Sequence, residues 1–162
     1  MKNNTVIHPI PPVYDKNSKV LILGSFPSVK SREYGFFYGH RQNRFWRVVA
    51  AVFDEKVPES IEEKKKLLLR NCIALWDVIH SCEISGSADS AIKNALPNDI
   101  SRIMEESRIE RIFTNGRKAH ELYGKYLESK TGIKATCLPS TSPANAAYSL
   151  DRLIDEWGVI KG

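Results

Sequence analysis

Four short apolar runs, three of them followed by a stretch with helical spacing, constrain this chain more than any other feature. They are Val20-Leu21-Ile22-Leu23, Cys72 to Ile79, Arg111-Ile112-Phe113-Thr114 and Lys134 to Leu138. Each has the length and side chains of a buried strand. Helical spacing follows in Phe45, Val48, Val49 and Val52, in Ala119, Leu122, Tyr123 and Tyr126, and in Ala147, Leu150, Leu153, Ile154 and Trp157. Strands that alternate with helices make an α/β layered domain with a mostly parallel sheet. Such sheets take ligands outside the carboxyl ends of their strands. That rule gathers Gly24–Ser28, Trp76-Asp77, Asn115-Gly116 and Leu138–Pro143 on one rim.

The local signals fill in the rest. Residues 1–18 carry Pro9, Pro11 and Pro12 and read as an extended N-terminal arm. Residues 19–162 read as a single domain. The first strand is expected over Lys19–Leu23 and the first helix over Asn43–Phe53. Ser60-Ile61-Glu62-Glu63 has the form of a capping box for a helix through Arg70. Ser85-Gly86-Ser87 is expected as a polar loop and Asp89–Asn94 as a short helix. Asn98-Asp99 is expected to cap another helix to about Ser107. Ser142 with Pro143 has the pattern of an N-cap with proline at the first helical position.

Composition narrows the class. Of 162 residues, 42% are hydrophobic and 27% charged, which suits a globular domain. The net charge of +5 favours a phosphate-rich partner without specifying one. Cys72, Cys82 and Cys137 have no metal-ligand spacing, and an odd count predicts reduced thiols in a cytoplasmic protein. Cys72 and Cys137 lie in apolar runs and are expected in the core. No stretch is long and apolar enough for a membrane span, and the N-terminus lacks the apolar core of a signal peptide. No dinucleotide or phosphate-loop glycine fingerprint is present. Lys64-Lys65-Lys66 is expected as a solvated helix face.

The chemistry-bearing stretch is Gly24-Ser25-Phe26-Pro27-Ser28, the aromatic segment Tyr34-Gly35-Phe36-Phe37-Tyr38-Gly39, and then His40-Arg41-Gln42-Asn43-Arg44-Phe45-Trp46. With Leu138-Pro139-Ser140-Thr141-Ser142-Pro143-Ala144-Asn145, this set resembles the two motif regions of the uracil-DNA glycosylase superfamily. The detailed form is similar to its hypoxanthine-DNA glycosylase branch. The resemblance runs from about Lys19 to the last helix. It implies a three-layer α/β/α sandwich around a central, mostly parallel four-stranded sheet. It also implies a monofunctional, water-using repair enzyme that acts on DNA containing deaminated bases and leaves an abasic site. No cofactor, metal or iron–sulfur cluster is implied, and a monomer is expected. One departure stands out. Mismatch-specific relatives carry an asparagine at the third position of the first motif to place the attacking water. This chain has Phe26, whose side chain has no hydrogen-bonding group.

The resemblance then suggests roles. Asn43 and His40 are the candidate catalytic residues, with Asn43 contacting water or base through its amide. The plainer alternatives are that Asn43 caps the following helix and that His40 holds nearby backbone. Gly24, Ser25, Phe26, Tyr38 and Asp77 are expected to bind the extracted base. Tyr38 stacks on it in this reading, with Phe36 and Phe37 competing for that place. Asp77 is an acceptor for the purine N1–H or a strand-end cap. Ser28, Lys30, Asn115, Ser140, Thr141 and Ser142 are expected to contact DNA phosphates, although Asn115-Gly116 also reads as a plain turn. Two rival readings remain: a uracil-excising mismatch enzyme, and a damaged-DNA-binding module that lost its chemistry with Phe26.

Overall fold

The computed structural model describes residues 5–84 and 92–162. Its centre is a four-stranded parallel sheet made of β2 (Val20–Gly24), β3 (Ile73–Asp77), β6 (Arg111–Asn115) and β7 (Thr136–Leu138), in the order β3-β2-β6-β7. Every residue of β2 is buried, because both faces of a central parallel strand are covered. The alternation of side chains along β2 sorts the core in two. Val20 and Ile22 face a cluster with Val48, Val49, Leu67, Leu68, Leu153 and Trp157. Leu21 and Leu23 face a second cluster with Ile100, Ile103, Leu122 and Tyr123. The helices on the first face are α2 (Phe45–Val52), α3 (Ile61–Arg70) and α7 (Leu150–Trp157). Those on the second are α4 (Ser101–Glu106) and α5 (Arg117–Tyr126), with the short α6 (Glu128–Thr131) directly after α5. This is the expected three-layer sandwich.

A second sheet was not foreseen. It is antiparallel, in the order β1 (Thr5–Ile7), β4 (Ile79–Glu83), β5 (Lys93–Pro97). The apolar run from Cys72 to Ile79 therefore belongs to two strands. The break at Val78 is held from both sides. Val78 N–H and Ile79 N–H donate to the Gly24 and Ser25 carbonyls at 2.8 and 3.1 Å. The buried Asn98 amide donates to the Asp77 and Ile79 carbonyls at 2.9 and 3.1 Å. Asn98 thus clamps the strand switch, and Asp99, just before the N-cap Ile100, accepts from Ser101 N–H at 3.0 Å. Lys93 and Asn94, expected at the end of a short helix, lie in β5. Residues 89–91 of that expected helix, and the Ser85-Gly86-Ser87 loop, lie outside the described residues.

The N-terminal segment is knitted into both sheets. β1 pairs with β4, and Val13 exchanges backbone hydrogen bonds with Leu75 at 3.0 and 2.9 Å. Ile10 and Val13 are buried in the core.

Other differences have local causes. A helix unforeseen in the sequence, α1 (Val29–Tyr34), follows the first loop. Ser28 caps it by accepting from Ser31 N–H, and Gly35 ends it at φ 83°. The last helix starts at Leu150 with Ser149 as its N-cap, so Ser142 and Ala147 lie in turns before it. Cys137 is exposed because β7 is an edge strand, and Cys72 is only half-buried. Lys64 is 9% exposed: α3 turns it inward, and its ammonium lies 4.8 and 5.4 Å from the Tyr34 and Trp46 rings. Burial lowers its pKa from the usual lysine value.

Candidate active site

The four parallel strands end on one rim, and a pocket opens there. Its lining includes Gly24, Ser25, Phe26 and Ser28 from the loop after β2, and Phe37, Tyr38 and Asn43 from the aromatic segment. Asp77 joins them from the end of β3, Asn115 from the end of β6, and Ser140, Thr141 and Ser142 from the loop after β7. Residues separated by more than a hundred positions meet because parallel strands deliver their carboxyl ends to one edge. The cavity measures about 120 Å³. One water needs about 10–15 Å³, so the space suits something larger than a few waters.

Asn43 stands on one wall. It lies two residues before α2, and its Oδ1 accepts from Phe45 N–H at 2.9 Å. A backbone N–H can only donate, so the atom facing it must be the amide oxygen. Oδ1 also accepts from Thr141 Oγ1 at 2.9 Å. Thr141 is 0% exposed and is itself held by Asn115: Asn115 Nδ2 donates to Thr141 Oγ1 at 3.0 Å, and Thr141 N–H donates to Asn115 Oδ1 at 3.1 Å. Both lone pairs of Asn43 Oδ1 are occupied, so the amide nitrogen is left to serve the pocket. Asn43 accepts the first N–H of α2 and presents a donor at the same time.

Arg44 braces this wall. Its backbone N–H donates to Thr141 O at 3.1 Å, and its guanidinium donates to the carbonyls of Ser142 at 2.9 Å, of Asn145 at 3.0 Å and of Tyr148. Trp157 Nε1 donates to Pro139 O at 2.9 Å from α7. The Pro–Ser loop is therefore pinned on three sides.

Asp77 stands on the opposite wall. Its Oδ2 accepts from His8 Nε2 at 2.7 Å, and the two side chains are only 5% and 1% exposed. Its Oδ1 lies against Gly24. A methyl group on Gly24 would overlap Asp77 Oδ1 and sit 3.0 Å from the Tyr38 hydroxyl. The first glycine of the motif is thus the condition for Asp77 and Tyr38 to approach the strand end. Gly116 plays a similar part below Ser140: its φ is 94°, and a Cβ there would lie 3.2 Å from Ser140 Cβ.

Among the three aromatics, Phe36 stacks on Trp46 away from the pocket, while Phe37 and Tyr38 line it. Tyr38 stacks on Phe45 with centroids 4.1 Å apart, at a φ of 54° that a tyrosine rarely adopts. Phe26 lines the pocket and packs edge-on to His8 at 5.8 Å.

Two expected residues are elsewhere. His40 and Lys30 border a neighbouring surface hollow with Gly39, Arg41 and Gln42. His40 Nδ1 accepts from Gln42 N–H at 3.1 Å, and Lys30 pairs in the open with Glu33 at 3.7 Å. Thr141, expected at DNA phosphate, has its hydroxyl committed inside the protein. Ser140 Oγ accepts from Ser142 N–H at 3.1 Å, and Ser142 Oγ from Ala144 N–H at 3.2 Å. The sequence reading missed His8 and Arg44. Arg44 sits inside a motif already singled out, but His8 carried no local signal. Among the described residues, no three His, Cys, Asp or Glu side chains are grouped to hold a metal ion. No helix there is long and apolar enough to cross a membrane.

This geometry agrees with what the chain is similar to. A protein named hypoxanthine DNA glycosylase from Methanosarcina acetivorans is 40% identical over 93% of this chain and 94% of its own length. One of the same name from Methanosarcina barkeri is 36% identical over 83% of this chain and 85% of its own. The solution NMR structure of a Methanosarcina acetivorans protein, provisionally named a uracil DNA glycosylase, superposes with a TM-score of 0.81 at 37% identity. It covers 96% of this chain and 98% of that one. The family model of the uracil DNA glycosylase superfamily matches residues 11–157. This chain belongs to the uracil DNA glycosylase superfamily.

Proposed function

We propose that this protein is a DNA repair glycosylase that hydrolyses the bond between C1′ of deoxyribose and N9 of hypoxanthine. The product is an abasic site. The observation that carries the reading is the pairing of two opposed groups in one pocket: a fixed amide donor at Asn43 and a carboxylate acceptor at Asp77. Hypoxanthine differs from adenine by a lactam edge, with N1–H as donor and O6 as acceptor. Asp77 matches that N1–H and repels the N1 lone pair of adenine. The names and high coverage of the Methanosarcina relatives support the same substrate.

The base must first leave the stack, at a cost of a few kcal/mol that is least for a mispaired base. Phe37 and Tyr38 supply flat walls to receive it. As the C1′–N9 bond breaks, its electron pair stays with the purine and the sugar becomes oxocarbenium-like, as in glycoside hydrolysis. Asn43 Nδ2 donates to a ring nitrogen or to the water beside C1′, where charge develops. The water oxygen bonds to C1′ and releases a proton, and the purine takes one up. One water is consumed for each bond broken. The phosphates flanking the lesion meet backbone groups of the Ser28 and Ser140–Ser142 loops and the hydroxyls of Ser140 and Ser142.

Uracil carries the same N–H beside a carbonyl, so Asp77 alone would accept it as well. The test is therefore comparative. Purified protein is incubated with end-labelled duplexes that hold one inosine or one uracil, followed by alkali to cut abasic sites. Cleavage mainly at inosine is expected. Cleavage mainly at uracil transfers the protein to the mismatch-uracil activity. Binding without cleavage at either base makes it a non-catalytic lesion-binding module.

A further inference from the structure

His8 is the most deeply enclosed ionisable side chain at the site, and the chemistry above makes no use of it. It enters from the N-terminal segment, 69 positions away from its partner Asp77. Rings of Phe26, Phe37 and Trp76 surround it at 5.8, 6.1 and 6.1 Å. Its backbone is fixed as well: His8 N–H donates to His80 O, and Trp76 Nε1 reaches Ile10 O at 3.1 Å. The ring has one orientation and one tautomer. Ile10 N–H, which can only donate, faces His8 Nδ1 at 3.2 Å. Nδ1 must therefore carry the lone pair, and the ring hydrogen sits on Nε2. That hydrogen points at Asp77 Oδ2, 2.7 Å away.

We infer that His8 is a positioning residue that fixes which atom of residue 77 faces the base. Its Nε2–H occupies one carboxylate oxygen and leaves Oδ1, beside Gly24, as the acceptor in the pocket. The inference rests on the reading of Asp77 as the partner of the base N1–H. It also gives Phe26 a purpose in place of the asparagine found in mismatch-specific relatives. Phe26 covers the His8 ring, so water does not compete for the His8–Asp77 bond. Residues of the N-terminal segment thereby belong to the specificity apparatus, although they contribute no atom that touches the substrate.

The consequence is a directional prediction. In Asp77→Asn, the His8 hydrogen must be met by the new amide oxygen, so the NH₂ group turns to the pocket. A donor then faces the hypoxanthine N1–H, and excision of hypoxanthine falls by about hundredfold or more. The same NH₂ matches the N1 lone pair of adenine. His8→Gln replaces a fixed donor with an amide that can turn either way. In the His8→Gln, Asp77→Asn double variant, the amide oxygen at position 8 can accept from the NH₂ at position 77. The amide oxygen at position 77 is then free to face the base. Excision should recover to at least about tenfold above Asp77→Asn alone.

The experiment uses the full chain on an inosine duplex under single-turnover conditions, with the melting midpoint of each variant recorded. It also measures free hypoxanthine and free adenine as inhibitors of Asp77→Asn. Recovery in the double variant, with adenine binding Asp77→Asn more tightly than hypoxanthine does, supports the assignment. A purely structural His8 predicts that the double variant is no faster than Asp77→Asn, and that result overturns it. If the double variant does not fold, a stronger hold of Asp77→Asn on hypoxanthine than on adenine overturns it instead. Lack of hypoxanthine excision by the unmodified protein is a different failure, that of the proposed function, and is read in the same assay.

Discussion

The two walls of the pocket are built from different materials. The Asn43 wall is a chain of neutral hydrogen bonds through Thr141 and Asn115 at the rim of the parallel sheet. The Asp77 wall is an ionisable pair with His8, enclosed by aromatic rings and anchored on the second, antiparallel sheet. Each wall fixes the orientation of one planar group through a partner far away in sequence. On one side the fixed atom is a donor, on the other an acceptor. A lactam edge and a departing purine need both. In the proposed reading, the atoms that face the base are set by the hydrogen-bond partners of Asn43 and Asp77 as much as by those two side chains.

The comparison can be broken at the donor wall first. Asn43→Ala removes the side-chain amide whose oxygen Thr141 holds, and with it the proposed donor. Loss of one such donor typically costs about 10²–10³ in rate, so single-turnover excision should fall by that much. Binding of inosine duplex should stay nearly unchanged, measured by fluorescence anisotropy, and normal turnover would remove Asn43 from the chemistry. Gly24→Ala attacks the acceptor wall. The added methyl overlaps Asp77 Oδ1, so the carboxylate must move. Excision should drop by about tenfold to a hundredfold, since a small misplacement is enough. A Gly24→Ala enzyme with full activity would show that Asp77 has no fixed position.

Thr141→Val keeps the shape and removes the hydroxyl that orients Asn43. Asn43 Oδ1 keeps only the Phe45 N–H, and the loss of one buried hydrogen bond costs about 1–3 kcal/mol. Excision should decline by about tenfold and Thr141→Ser should restore it; equal rates for both variants would contradict the relay. The smallest effect is expected where neither wall is touched. Glu55 accepts from Arg70 and from Asn71 at 2.7 Å, at the amino-terminal end of β3. These donors hold its carboxyl below the ordinary glutamate range. A lowered folded pKa means that the stabilisation is complete above that ordinary range and fades as pH falls through the lowered value. Glu55→Gln should lower stability by less than about 1 kcal/mol at neutral pH and flatten the acid limb of the melting curve, with excision unchanged.

The donor wall was largely legible in the sequence, and the acceptor wall only in half. Asn43 lies in a compact motif between an aromatic segment and an amphipathic helix, so local order places it at the rim. Asp77 is readable as the last residue of an apolar strand run. His8 is not readable, because its part depends on a pairing between Val13 and Leu75 and on a strand pairing of residues 5–7 with 81–83. Neither pairing has a local signature. The antiparallel sheet was missed for a related reason. The run from Cys72 to Ile79 is apolar except for Asp77, and its break at Val78 is held by Asn98, 20 positions later. The helix α1 was missed although its signals, Ser28 before it and Gly35 after it, stand in the sequence. Its apolar face is too short to show a period. Ser140 and Thr141 were correctly gathered at the rim, but their hydroxyls serve the fold as well as the surface.

The most direct test of the two-walled pocket is to compare excision of hypoxanthine with that of its 1-deaza analogue, in duplexes of the same sequence. The analogue has nearly the same shape but carries C–H at position 1, with its exchangeable hydrogen on N3 or O6, so it offers Asp77 no N1–H. An excision rate lower by about hundredfold or more is predicted, in line with sites built to hydrogen-bond a substrate N–H. Equal rates on the two bases would contradict the account, because Asp77 would then not read the base.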